Sequence, residues 1–159
     1  MTDPIIAAAR LSVTEAFDTL RRVVGGMPAD ALNWRPAGDE TNSIAVLVTH
    51  ASHATRLLLH LAAGLELPPR DRPAEFRATV DGPAPLTELI DRMDAECGDL
   101  LEGIESIDWG AQRRRRRDDG SVLEMPAAYA LFHAVDHLRG HADEASLTRH
   151  VWQARPASG

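Results

Sequence analysis

The apolar residues Ile6, Val13, Phe17, Leu20 and Val24 follow one another at steps of seven, four, three and four. That spacing keeps them on one side of a coil with about 3.6 residues per turn, so it predicts a helix from Pro4 to about Val24 with a single buried stripe. Gly25-Gly26 ends it, and Met27-Pro28 opens a connection marked by Leu32, Trp34 and Pro36. A second helix is expected from the run Ile44-Ala45-Val46-Leu47-Val48 to about Ala63, with Asn42 or Ser43 capping its free amides and Gly64 following its end. A third runs from about Leu86 to Ile104 and buries Leu86, Leu89, Ile90, Met93, Cys97, Leu100, Leu101 and Ile104 at helical spacing. A fourth starts at Pro126, whose missing N–H would have no partner in a first turn anyway, and reaches about Trp152.

The connections carry a different signal. Between Leu67 and Pro85 the chain holds Pro68, Pro69, Pro73, Pro83 and Asp81-Gly82, which predicts a long loop without helix, a crossover or a lid over a site. From Ser106 to Met125 come Trp109, the run Arg113 to Arg117, and Asp118-Asp119-Gly120-Ser121, a turn signal. Five consecutive arginines cannot all face a core. They read as a solvated loop, or as an anion-binding edge over a pocket. No strand pattern of convincing length and no repeat is visible, and the tail from Ala154 to Gly159 is expected to fray. The expectation is an all-α fold, a four-helix bundle with a long crossover loop between helices two and three, forming a single domain over residues 1–159 with its core at about 4–153.

Composition narrows the function. A length of 159 residues suffices for one core, and a formal net charge of −7 argues against a surface devoted to nucleic-acid phosphates. All 17 basic residues are arginine, which removes lysine Schiff-base chemistry. Cys97 is the single cysteine, so neither an internal disulfide nor a cysteine-rich zinc site can form, and its place in the third helix's stripe reads as a small buried hydrophobe. The segment Met1-Thr2-Asp3-Pro4 lacks a basic region followed by a long apolar run, so no secretory leader is expected there, and no stretch reaches the roughly 18 apolar residues of a membrane span. The cytoplasm is the expected compartment.

The seven histidines divide between two helices: His50, His53 and His60 on the second, and His133, His137, His141 and His150 on the fourth. His133, His137 and His141 advance about 40° per step and form a ladder with neighbours about 5–6 Å apart at Cβ. Two rungs can share one divalent metal ion, and a third imidazole must come from the other helix. There His50 is the best placed, on the inward face with Ala54, Leu57 and Leu61, while a rotation of one stripe would bring in His53.

Three pieces of the chain carry a family likeness: Asn33-Trp34-Arg35-Pro36-Ala37, then Asn42-Ser43-Ile44-Ala45 with His50 seven residues after Ser43, and Ala134-Val135-Asp136-His137-Leu138-Arg139-Gly140-His141. Together they resemble the DinB-like metal-binding bundle proteins, over nearly the entire chain. The resemblance implies a right-handed, frequently dimeric bundle. It also implies a mononuclear ion, zinc or nickel, at the mouth of a pocket, with His50, His137 and His141 at the positions of the family's ligands. The family often has glycine two residues after the last ligand, where this chain has Asp143, and His133 with His137 is the alternative pair. Some relatives are transferases or isomerases that use mycothiol, bacillithiol or glutathione, including maleylpyruvate isomerases.

Three neutral imidazoles leave an ion its full dipositive charge and an open position, which suits lowering the pKa of a water toward about 7 or stabilising a thiolate. Asp136 and Glu144 are candidate proton carriers, or acceptors that only orient an imidazole. Arg139, Arg149 and the arginine run are candidates for the carboxylates of a thiol cofactor, and Trp34 and Trp109 for the pocket wall, each against the plainer reading of surface charge or core plug. The leading expectation is a metal-dependent enzyme that presents a low-molecular-weight thiol to a small electrophile, as a homodimer. A noncatalytic metal-binding or stress-response bundle and a metal-dependent hydrolase are the alternatives.

Overall fold

The computed structural model describes residues 3–156. Four long helices form the bundle: α1 (Pro4–Val24), α3 (Ile44–Ala63), α5 (Ala84–Gly103) and α6 (Ala127–Gln153). Two short helices, α2 (Ala29–Asn33) and α4 (Arg72–Glu75), lie in the connections, and a hairpin of β1 (Gln112–Arg116) and β2 (Val122–Pro126) precedes α6. α5 and α6 each pack against both α1 and α3, so the two earlier helices stand at opposite corners. The all-α bundle is thus as expected, with a small hairpin added.

Local chemistry accounts for the helix ends. The Asp3 carboxylate accepts from the Ile5 amide at 2.8 Å and from the Trp109 indole at 3.0 Å, so one side chain starts α1 and pins a distant loop to it. Ser43 caps α3 through the Val46 amide at 3.2 Å. At the other end Gly64 adopts φ 72°, and the Arg113 guanidinium lies so close that a Cβ at residue 64 would stand 3.0 Å from it. Arg113 donates from Nε to the Ala62 carbonyl at 3.2 Å, a cation placed at the negative end of α3. α6 has no side-chain cap; its first amides, those of Ala127 and Ala128, reach the carbonyls of Ala111 and Trp109 at 2.9 and 3.1 Å.

The core is filled by Phe17, Leu20, Leu47, Leu59, Ile90, Met93 and Leu138, each at most 1% exposed. α6 contributes small residues to it: Ala127, Ala130, Ala134, Ala142 and Ala145 are all buried at helical spacing. Short side chains permit a close approach of backbones, and this brings the histidine face of α6 against α3. Cys97 is buried as expected, and burial pushes its thiol up to about 12.

Several expectations need correction. The long connection at 64–83 is not without helix: Asp71 accepts from the Ala74 amide at 2.9 Å and starts the single turn α4, with Pro73 inside that first turn where its lack of an N–H costs nothing. Arg113 to Arg116 of the arginine run are not loop but part of strand β1, paired antiparallel with β2 so that Arg113 faces Met125 and Arg115 faces Leu123, and Arg117 lies just past its end. Alternate arginines lay their stems on the molecule and the others project into water, an alternation that apolar counting does not register. Pro126 is the residue that caps α6 and not its first helical residue. Of the tail expected to fray, residues 157–159 lie outside the described range. Among the described residues no helix is long and apolar enough to cross a membrane.

Arg21 joins α1 to α5: its guanidinium meets Asp18 at 2.8 Å, Asp91 at 2.7 Å and Asp94 at 2.8 Å. Asp94 is the least exposed of the three acids, so it carries most of the effect. Arg21→Met is expected to lower stability by about 1 kcal/mol, seen as a lower urea midpoint at unchanged slope. An unchanged midpoint would mean that water replaces the network without loss.

Candidate metal centre

His50 is buried on α3, while His137 and His141 are half-buried one turn apart on α6. One ligand nitrogen from each lies within 4.8 Å of the others. The rings stand at centroid separations of 5.0 Å for His50 and His137, 5.2 Å for His50 and His141, and 4.5 Å for His137 and His141. Nε2 of His50 is 3.2 Å from Nε2 of His137. Two nitrogens bound to one tetrahedral zinc ion at about 2.0–2.1 Å stand about 3.3–3.4 Å apart, so this edge has the length that coordination requires.

Carboxylates behind two of the rings determine which nitrogen is free. Nδ1 of His50 donates to Oε2 of Glu75 at 3.0 Å, and Nδ1 of His141 donates to Oε2 of Glu144 at 3.0 Å. An ionised carboxylate only accepts, so it fixes the proton on Nδ1 and leaves Nε2 as a bare lone pair. Glu75 is itself held in a fork: Arg70 donates from Nε to Oε1 at 2.6 Å and from Nη2 to Oε2 at 2.7 Å. Burial alone would raise the Glu75 pKa, but the hydrogen bonds from Arg70 and His50 outweigh it and hold the carboxyl below its usual range. Arg70 and Glu75 are 11% and 4% exposed, so this support is shielded from water.

His137 lies at the centre of the cluster. Burial, followed by the positive charge that His141, His50 and His133 would carry, lowers its pKa to about 3. The imidazole is therefore neutral at pH 7, as a ligand must be. Its Nδ1 is buried and has no hydrogen-bond partner among the described residues. Converging imidazole nitrogens, with carboxylates behind two of the rings, fit a dipositive cation in donor type.

The remaining sequence candidates fall as follows. His133 is the next rung, 5.6 Å from His137 between centroids and stacked on Tyr129 at 5.8 Å, outside the group of three. His53 is half-buried on the adjacent stripe, and burial lowers its pKa. Nδ1 of His60 donates to the Glu66 carbonyl at 2.8 Å, and His150 is exposed. Glu144 is in the assembly, as the acceptor behind His141, whereas the Asp136 side chain is exposed. Arg139 is exposed and pairs with Glu15 of α1 at 3.3 Å. Arg149 donates to the carbonyls of Val23 and Gly25 at the end of α1, at 2.9 and 3.2 Å. Trp34 lies under Arg155, 4.9 Å from ring centroid to guanidinium carbon, beyond the end of α6.

Three functional neighbours went unread in the sequence: Glu75, Arg70 and Phe76, whose ring is 4.5 Å from that of His50. All lie in the proline-rich connection. The signal available was Asp71-Arg72-Pro73-Ala74-Glu75, an N-cap residue followed by proline and a first-turn acid.

A helical bundle with a three-histidine cluster between two of its helices is the class that this geometry defines. The family model of the DinB superfamily matches residues 12–145, and the chain belongs to that superfamily. A conserved protein from Enterococcus faecalis superposes with a TM-score of 0.75 at 14% identity, over 98% of this chain and 99% of that one. A mutant of a mycothiol-dependent maleylpyruvate isomerase superposes with a TM-score of 0.61 at 17% identity, over 88% of this chain and 60% of that protein. Identities this low establish likeness of fold. Among curated proteins none matches the chain.

Proposed function

We propose that the chain is a metal-dependent thiol transferase or isomerase that acts on small electrophiles with a low-molecular-weight thiol of the mycothiol or bacillithiol type. It works in the cytoplasm as a homodimer of single-domain chains. The observation that carries the reading is the convergence of His50, His137 and His141, with Glu75 and Glu144 fixing two of the rings. Zinc or nickel bound there supplies Lewis acidity, which favours the thiolate form of a thiol at neutral pH.

The chain's own residues supply position and exclusion. Arg70 keeps Glu75 ionised, and Glu75 keeps the His50 proton on Nδ1, so Nε2 stays available. The Phe76 ring covers one side of His50 and keeps water from that flank. Cys97, with its thiol raised to about 12, offers no protein thiolate at neutral pH, so thiol chemistry needs an added thiol. The likeness of fold to a mycothiol-dependent isomerase supports the choice of thiol over water as the nucleophile.

The test is turnover of a fluorogenic bimane electrophile by the purified protein, with and without added thiol. Turnover is expected to require both thiol and metal, to fall at least about hundredfold on chelation, and to return with zinc or nickel. Thiol-independent hydrolysis of ester substrates would favour a hydrolase. Bound metal without any thiol-dependent turnover would favour a noncatalytic bundle.

A further inference from the structure

A cavity of about 650 Å³ lies between the end of α3, the long connection and the hairpin. Its wall includes five arginines, Arg70, Arg72, Arg115, Arg116 and Arg117, and two acids, Asp118 and Asp119. The chain as a whole carries a net charge of −7, so this is a local reversal of sign. Arg70 is neutralised by Glu75, and the Asp119 carboxylate is taken by the amide and hydroxyl of Ser121 at 2.8 and 2.6 Å. Among the described residues Arg72, Arg115, Arg116 and Arg117 form no ion pair with any acid.

Arg115 is the most telling member. It sits on the inward face of β1, and its Nε is buried with no hydrogen-bond partner among the described residues. Burial, then the positive charge of Arg70, Arg117 and Arg72, presses its pKa below the ordinary guanidinium range. A half-buried guanidinium among like charges is destabilised, and an anion that neutralises it from the cavity side stabilises it. On the opposite face of the same strand Arg114 is paired with Glu124 and exposed, which shows what an arginine without this task does. Across the cavity the Arg72 guanidinium stacks 4.7 Å over the Phe76 ring, which fixes it in place. Leu57, Leu67 and Pro68 add an apolar wall.

We infer that this cavity is a binding site for a small organic oxyanion, a phosphate ester or a dicarboxylate, gripped by Arg115 and Arg72. A planar guanidinium offers its two terminal nitrogens as a fork that carboxylate and phosphate oxygens match in pairs, and the apolar wall accommodates a short carbon skeleton. The site contains no histidine, so it stands whether or not a metal occupies the neighbouring cluster.

Isothermal titration of the purified full-length protein with inorganic phosphate and, separately, with succinate tests the assignment. A saturable isotherm is expected with at least one probe, and which probe binds tells the phosphate ester from the dicarboxylate. Arg115→Gln is expected to weaken that binding about tenfold or more, the effect of losing a charge-assisted hydrogen bond. Arg72→Gln, on a separate element, is expected to weaken it as well, and Arg114→Gln to leave it unchanged. No saturable binding of either anion, or an equal loss in Arg114→Gln, would overturn the inference.

Discussion

Replacing Glu75 with alanine is expected to lower folding stability by about 3 kcal/mol or more, because it leaves the Arg70 guanidinium largely buried without its partner. The same substitution is expected to weaken zinc binding about 10–100-fold, since the His50 ring loses the acceptor that fixes its proton on Nδ1. The two effects separate in a double variant. Arg70→Met with Glu75→Leu removes both charges and fills the space with apolar groups, so stability returns while zinc affinity stays low. Urea denaturation of the metal-free protein reads the first effect, and competition with a chromophoric chelator reads the second. Wild-type stability in Glu75→Ala would mean that Arg70 finds water, and wild-type affinity in the double variant would mean that Glu75 does not orient His50.

A comparably large effect is expected when a ring of the cluster is removed. Zinc at a hundred times its dissociation constant stabilises a folded protein by about 2.7 kcal/mol, which for a chain of this size raises Tm by about 5–10 °C. That rise is expected in the wild type and in His133→Ala, and is expected to vanish in His50→Ala, His137→Ala and His141→Ala. His133 serves as the control because it shares the helix and the spacing but stands outside the group of three nitrogens. A full rise in His137→Ala would reject the assignment, and a loss in His133→Ala would shift the pair one rung along α6.

The fold was legible where burial has a helical period. The stripe from Ile6 to Val24 and the run from Ile44 mark α1 and α3 to within a residue, because a long amphipathic face and a serine cap act through local physics. The convergence of residues 50, 137 and 141 was legible for a related reason: each helix sets the phase of its own histidines, and the resemblance to DinB-like proteins supplies how the two helices face. Where tertiary context decides, the pattern was silent. Strand β1 is held by pairing with β2 and by arginine stems lying on the molecule, so its sequence shows no apolar alternation. The partner strand does alternate, Leu123 and Met125 inward against Val122 and Glu124 outward, and with the Asp-Asp-Gly-Ser turn it held the readable half of the hairpin. Glu75 and Arg70 escaped for another reason. Their role depends on a connection folding back over α3, a contact between residues 25 and 20 positions from His50 that no helical period encodes.

The account rests on a cation held between α3 and α6, and the most direct measurement is an anomalous difference map from crystals grown with zinc. The predicted result is one strong peak enclosed by Nε2 of His50, His137 and His141, at about 2.0–2.1 Å from each nitrogen. A peak elsewhere with none among these three rings, or a map without any, would contradict it.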